Sequence, residues 1–182
     1  MPTDRVPLVI LGLGNVLCED DGLGVLCIHE LLRRYQPAPG ARVLDGGTLG
    51  LSLLPYLEDA EAAILVDAIR AEAPPGARVR LTGAEVAPAV ASRLSPHQVG
   101  VGDLLDAARW HERCPQPLVL LGLVPARIGL GLGLTPAVQA GLSGLVEDVA
   151  AEAAGMGYAF RARSRHEAES RNAGLLALAC GL

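Results

Sequence analysis

Aromatic side chains are scarce in this chain, at 3% of 182 residues, although 51% are hydrophobic. Any core must therefore be built from Leu, Val, Ile and Ala. No basic stripe with interleaved aromatics occurs and the net charge is −5, which argues against nucleic acid as a partner. Cysteines 18, 27, 114 and 180 are scattered. None forms the Cys-x-x-Cys pair of a thiolate zinc site or a thioredoxin-type motif, and a chain this long does not need disulfides, so reduced thiols are expected. No apolar run reaches bilayer length, and Asp4 and Arg5 precede only a strand-length one. Neither a secretory signal nor a membrane partner is indicated, and the expected location is the cytoplasm. Internal repeats, H-E-x-x-H and G-x-S-x-G are all missing; Ser143 in Gly141-Leu142-Ser143-Gly144 lacks the required spacing.

What is present is alternation of strand and helix signals. Residues 7–12 form a short apolar run closed by glycine, 42–45 a second strand, and 62–68 a third, apolar enough for burial on both faces. Residues 77–82 alternate as a half-exposed strand does, and 118–124 are again apolar. Helical spacing marks 21–35, with Asp20 or Asp21 as its cap, then about 49–57 after Thr48, and 103–112. Residues 85–102 read as irregular. The last long helix spans 135–155, with Thr135 as cap and Pro136 in its first turn. The pattern predicts an α/β fold: a three-layer α/β/α sandwich around a twisted, mostly parallel sheet. Residues 1–156 form that domain. Residues 157–182, with Arg161, Arg163, Arg165 and Arg171, read as a tail that docks as a short helix or stays mobile.

Three strand candidates end in acids. The first runs through Gly12-Leu13-Gly14-Asn15 into Glu19-Asp20-Asp21, the second stops at Asp45-Gly46-Gly47, and the third at Asp67. Parallel strands deliver their carboxyl ends to one rim, where α/β proteins bind ligands. Singly, each acid is explained by a cap or a turn. Together, with no basic neighbour in sequence, they call for a cation or a shared proton. His97, in Ser95-Pro96-His97-Gln98, adds a loop imidazole. Two carboxylates and one histidine suit zinc or another borderline divalent ion with positions left open. His29, His111 and His166 fall off the predicted rim. The glycine loop is a poor dinucleotide fingerprint: Leu17 stands where the third glycine belongs, and the adjacent acids repel phosphate. Cys18 lies near the rim, but its acidic neighbours blunt a thiolate.

Gly12-Leu13-Gly14-Asn15-Val16-Leu17, Asp20-Asp21, Asp45-Gly46-Gly47-Thr48, Val66-Asp67-Ala68 and Ser95-Pro96-His97-Gln98 occur in this order. The ordered set resembles the NiFe-hydrogenase maturation proteases, over about residues 8–155. The resemblance implies an α/β/α endopeptidase that removes a C-terminal extension from the hydrogenase large-subunit precursor once nickel is inserted. It carries the nickel-contacting roles to Asp21, Asp67 and His97, the residues that the rim argument also selects. The metal is then nickel carried by the substrate, or another divalent ion at the same site. Many members have Asp-Glu where this chain has Asp20-Asp21; aspartate keeps the charge and draws the ligand atom back by about 1.5 Å. Water activation by the metal and by a carboxylate base both remain open, and Asp45 is a weaker candidate for that base or for orienting substrate. The rival readings are a module that binds the nickel-loaded precursor without cutting it, and a hydrolase with another substrate, such as a nucleoside, at the same rim.

Overall fold

Continuous apolar runs become the central strands of a sheet covered on both faces. The computed structural model describes residues 6–91, 99–164 and 167. In chain order the elements are β1 (Val6–Leu13), α1 (Leu23–Arg34), β2 (Tyr35–Gln36), β3 (Ala41–Gly47), α2 (Leu54–Glu58), β4 (Ala60–Ala68), β5 (Arg78–Thr82), α3 (Val86–Ala91), α4 (Val99–Trp110), β6 (Leu118–Leu123), α5 (Pro136–Gly155) and β7 (Arg161–Ala162). Short 3₁₀ turns precede α1, α2 and α3. The main sheet has the order β3-β1-β4-β6-β5; its first four strands are parallel, and β5 closes one edge antiparallel to β6.

Strand β1 shows why the central strands carry no polar alternation. Leu8 and Ile10 enter one core with α1 and α5, while Val9 and Leu11 enter the other with residues of α2, α3 and α4. Both faces of the sheet are dry, so every side chain along the strand is apolar. At the β5 edge the alternation returns. Val79 and Leu81 pack inward against the second core, while Arg78 and Arg80 reach across to Asp148 and Glu152 of α5. Charges on an edge strand also discourage pairing with another chain.

The strand order fixes where a site can form. From β1 the chain passes through α1 to β3 on one side; from β4 it proceeds to β6 and β5 on the other. The carboxyl ends of β1 and β4 therefore flank the switch point, where a crevice opens in doubly wound sheets. Helix α1 lies unusually close to this point. A Cβ on Gly24 would overlap the carbonyl oxygens of Val66 in β4 and Leu13 in β1.

The described residues after α5 run on without leaving the body of the fold. Met156, Tyr158 and Phe160 pack against the first core, and β7 pairs antiparallel with β2. Arg163 donates its amide to the Arg34 carbonyl at 2.7 Å and its Nε to Leu32 and Tyr35 carbonyls at 3.2 and 3.1 Å. It thereby satisfies the open carbonyl end of α1. Among the described residues no helix is long and apolar enough to cross a membrane.

Gly24→Ala tests the close approach. The added methyl must push α1 off two strands, so we expect a loss of about 1–3 kcal/mol in urea unfolding, whereas Gly155→Ala, where a Cβ meets nothing, leaves the fold intact.

Candidate active site at the sheet switch point

The end of β1 is a folded-back turn held by main-chain groups. Gly14 has φ 120°, and a Cβ there would overlap the Asp21 carbonyl. Only glycine lets the 3₁₀ turn Glu19–Gly22 lie back over the strand end. Asp21 is 1% exposed and accepts the Asn15 amide at 2.9 Å; the Asn15 side chain in turn accepts the Leu17 amide at 3.0 Å. Asp67, the penultimate residue of β4, is fully buried, and its Oδ1 accepts the Ala68 amide at 2.7 Å. Thus Asp21, in the turn folded back beside the end of β1, and Asp67, near the end of the neighbouring parallel strand β4, are both withdrawn from bulk water. The 3₁₀ turn carrying Asp21 packs directly against β4. Carboxylates in such a place need specific compensation. They present hard anionic oxygens suited to a divalent ion or to proton transfer.

The other rim acids are accounted for differently. Glu19 pairs bidentately with Arg127 at 2.5 and 2.6 Å. That guanidinium holds its carboxyl below the usual carboxylate range, ahead of an opposing effect of burial. Asp20 is buried and does not cap α1, whose first turn has no side-chain cap. Its carboxylate instead collects the amides of Ala126, Arg127 and Thr135 at 2.9, 3.0 and 2.7 Å and the Thr135 hydroxyl at 2.9 Å. It anchors the loop 126–135 and sits at the amino end of α5, where negative charge is favoured. Burial pushes the Asp20 pKa up, but the hydrogen bonds from Thr135, Arg127 and Ala126 outweigh it and hold the group below its ordinary value. Asp45 is exposed, and its Oδ2 lies 2.9 Å from His29 Nε2. A histidine expected away from the rim therefore reaches an acid on it.

His97 lies outside the described residues. Among the described residues no group of three His, Cys, Asp or Glu side chains is arranged to hold a metal ion. The cysteines 18, 27 and 114 are free thiols, and burial pushes the Cys27 thiol up to about 12, which removes it as a nucleophile. A cleft of about 960 Å³ opens at the opposite end of the sheet, among Arg80, Thr82, Pro88, Cys114 and Met156. Its acid, Glu152, is bound to Arg80, so it does not compete with the switch point as a reactive site.

The family model for hydrogenase maturation proteases matches residues 25–152. The chain belongs to the hydrogenase maturation protease family. It is 35% identical over 145 residues to the hydrogenase 2 maturation protease of Escherichia coli K12, covering 79% of this chain and 88% of that one. To the hydrogenase expression/formation protein HupD of Rhodobacter capsulatus it is 40% identical over 134 residues, which are 72% of this chain and 63% of the relative's length. The solved structure of the hydrogenase maturating endopeptidase HybD from E. coli superposes with a TM-score of 0.81 at 33% identity, over 86% of this chain and 98% of that one. The α/β architecture, the membership of the family and the assignment as a peptide-bond hydrolase are therefore established together.

Within this maturation protease, one residue of the site region and the role of another escape a reading of the sequence. Arg127 is the only charged residue between Arg113 and Glu147, and that isolation in a glycine-rich loop is the signal that marks it. Asn15 closes the Asp21 turn; an asparagine directly after Gly14 is a turn former, but nothing in sequence names Asp21 as its partner.

Asp20→Asn removes one acceptor from this buried cluster while keeping its shape. We expect a loss of about 1–3 kcal/mol in urea unfolding at neutral pH. Because the folded pKa is depressed, the contribution is complete above the unfolded value of about 3.9 and is lost as pH falls through the lower folded value. The difference between wild type and variant should therefore be constant at neutral pH and shrink below about pH 4.

Proposed function

We propose that this endopeptidase removes the C-terminal extension of a NiFe-hydrogenase large-subunit precursor after nickel has been inserted, with Asp21, Asp67 and His97 contacting the nickel. The observation that carries this reading is the pair of buried carboxylates, Asp21 in the turn that follows β1 and Asp67 near the end of β4, at the switch point where doubly wound sheets bind ligands. The metal belongs to the substrate and acts as a checkpoint. A precursor without it meets two buried acids and has no charge to offset them; a loaded precursor supplies that charge. Another divalent ion takes the same oxygen donors when no precursor is present. The free thiols fit a reducing cytoplasm as the place of reaction.

In this mechanism Asp21 and Asp67 supply anionic oxygens, and His97 supplies an imidazole nitrogen. The nickel fixes the scissile peptide at the switch point, and water attacks its carbonyl carbon. A carboxylate at the site takes the proton from that water and passes it to the leaving amine. Held by these residues, the nickel would supply Lewis-acid stabilisation of the developing oxyanion. Asp45 stands apart on the exposed rim beside His29. There it is suited to orienting the precursor rather than to proton transfer.

Mass spectrometry of precursor incubated with the protein, with and without nickel, tests the reading. Loss of a C-terminal peptide from the loaded form alone supports it, and equal cleavage of both forms refutes the checkpoint. Asp67→Asn and His97→Ala should each slow processing by about a hundredfold or more while keeping a cooperative unfolding transition. A variant that processes at the normal rate removes its residue from the site.

A further inference from the structure

We propose that Arg70 anchors a carboxylate on the C-terminal extension of the substrate, in the hollow between the loops that follow β4 and β6; this rests on the function proposed above. The chain has no lysine, so its 15 long basic side chains are all arginine. Among the described residues the other arginines are all engaged, by a carboxylate, by main-chain carbonyls in the case of Arg163, or by the Tyr56 ring in the case of Arg42. Arg70 alone of the described arginines has no ion pair, hydrogen bond or ring contact, and it is exposed. Glu72, the acid nearest to it in sequence, does not engage it.

The position of this charge gives it a use. Arg70 stands three residues after Asp67, so their Cα atoms are no more than about 11 Å apart. It lines an open hollow of about 340 Å³ whose other wall includes Val124, Ala126, Arg127 and Ile128. Both walls are carried by fixed backbone. The Ile69 amide binds the Leu123 carbonyl at 2.9 Å, and Ala126 and Arg127 give their amides to Asp20 at 2.9 and 3.0 Å. Asp20 directly precedes Asp21, so the hollow is bounded by chain tied to both site acids. The second guanidinium there, Arg127, is balanced by Glu19. Arg70 therefore supplies the unbalanced positive charge, and a guanidinium fork matches a carboxylate in geometry as well as in charge. An endopeptidase that trims a C-terminal extension always meets one carboxylate, the chain terminus, and meets more where the extension has acidic side chains. The buried site acids repel such a group, and Arg70 is the one described arginine free to draw it in.

Steady-state processing of nickel-loaded precursor from the same organism tests this with Arg70→Gln and Arg70→Lys. Arg70 is exposed and unpaired among the described residues, so thermal unfolding of both variants should match wild type. We expect Arg70→Gln to raise KM about tenfold with kcat within about twofold, and Arg70→Lys, which keeps the charge without the fork, to recover part of the loss. Raising the ionic strength should raise KM in wild type and much less in Arg70→Gln. Two altered precursors then locate the carboxylate: one with the acidic side chains of its extension changed to amides, and one whose C-terminus is a primary amide. Whichever of them wild type and Arg70→Gln process with the same KM has lost the group that Arg70 holds. An unchanged KM in Arg70→Gln overturns the anchor and leaves the catalytic reading intact. A difference that persists when both alterations are combined in one precursor overturns it too, because Arg70 then meets another part of the substrate. If wild type leaves loaded precursor uncut, the function on which the anchor rests falls, and that result is separate from any comparison of variants.

Discussion

One buried negative charge organises the rim. Asp20 is withdrawn from water, yet four donors from the segment 126–135 converge on its two oxygens. Through them the turn after β1, the loop after β6 and the start of α5 become a single unit. A buried carboxylate without those donors would be costly, so the loop is held in place by the need to satisfy it. Every other feature of the rim hangs from this. The Glu19–Arg127 pair closes over it, the bridge between Cys18 and Gly131 lies beside it, and Asp21 follows it in sequence.

Adjacent acids thus do opposite work. Asp20 is saturated with hydrogen bonds and serves structure. Asp21, one residue on, turns toward Asn15 and the switch point. A 3₁₀ turn makes this division possible, because consecutive residues project in different directions about a tight helical axis. Glycine supplies the other half of the arrangement. Where Gly14 and Gly24 stand, backbone meets backbone, and the acids are carried by main chain that cannot drift.

Much of this was legible in the residues themselves. Strands β1, β4 and β6 announce themselves because burial on both faces demands unbroken apolar runs. Helix α5 is marked by Thr135-Pro136, and β5 by the alternation that its exposed arginines impose. Helix α3 gives no helical signal in the sequence because it is one short piece, Val86–Ala91, with Pro88 inside it; proline is tolerated there only because it falls in the first turn. Helix α4 begins at Val99, ahead of the 103 expected, since Gly100 and Gly102 weaken the helical signal. The rim acids could be selected as a set but not sorted. Whether an aspartate is a ligand, an anchor or half of an ion pair depends on partners far away in the chain, such as Arg127 for Glu19 and His29 for Asp45.

Arg163 carries a consequence for how the molecule comes into being. It completes the carbonyl end of α1 from 128 and 131 residues further along the chain, while Asp20 waits for donors 106 to 115 residues away. Both ends of the segment that holds Asp21 are thus finished by residues made more than a hundred positions after it. A nascent chain released only as far as β6 has its first helix open at one end and an unsatisfied charge at the other. The turn that holds Asp21 is therefore complete only when α5 and the residues after it have docked.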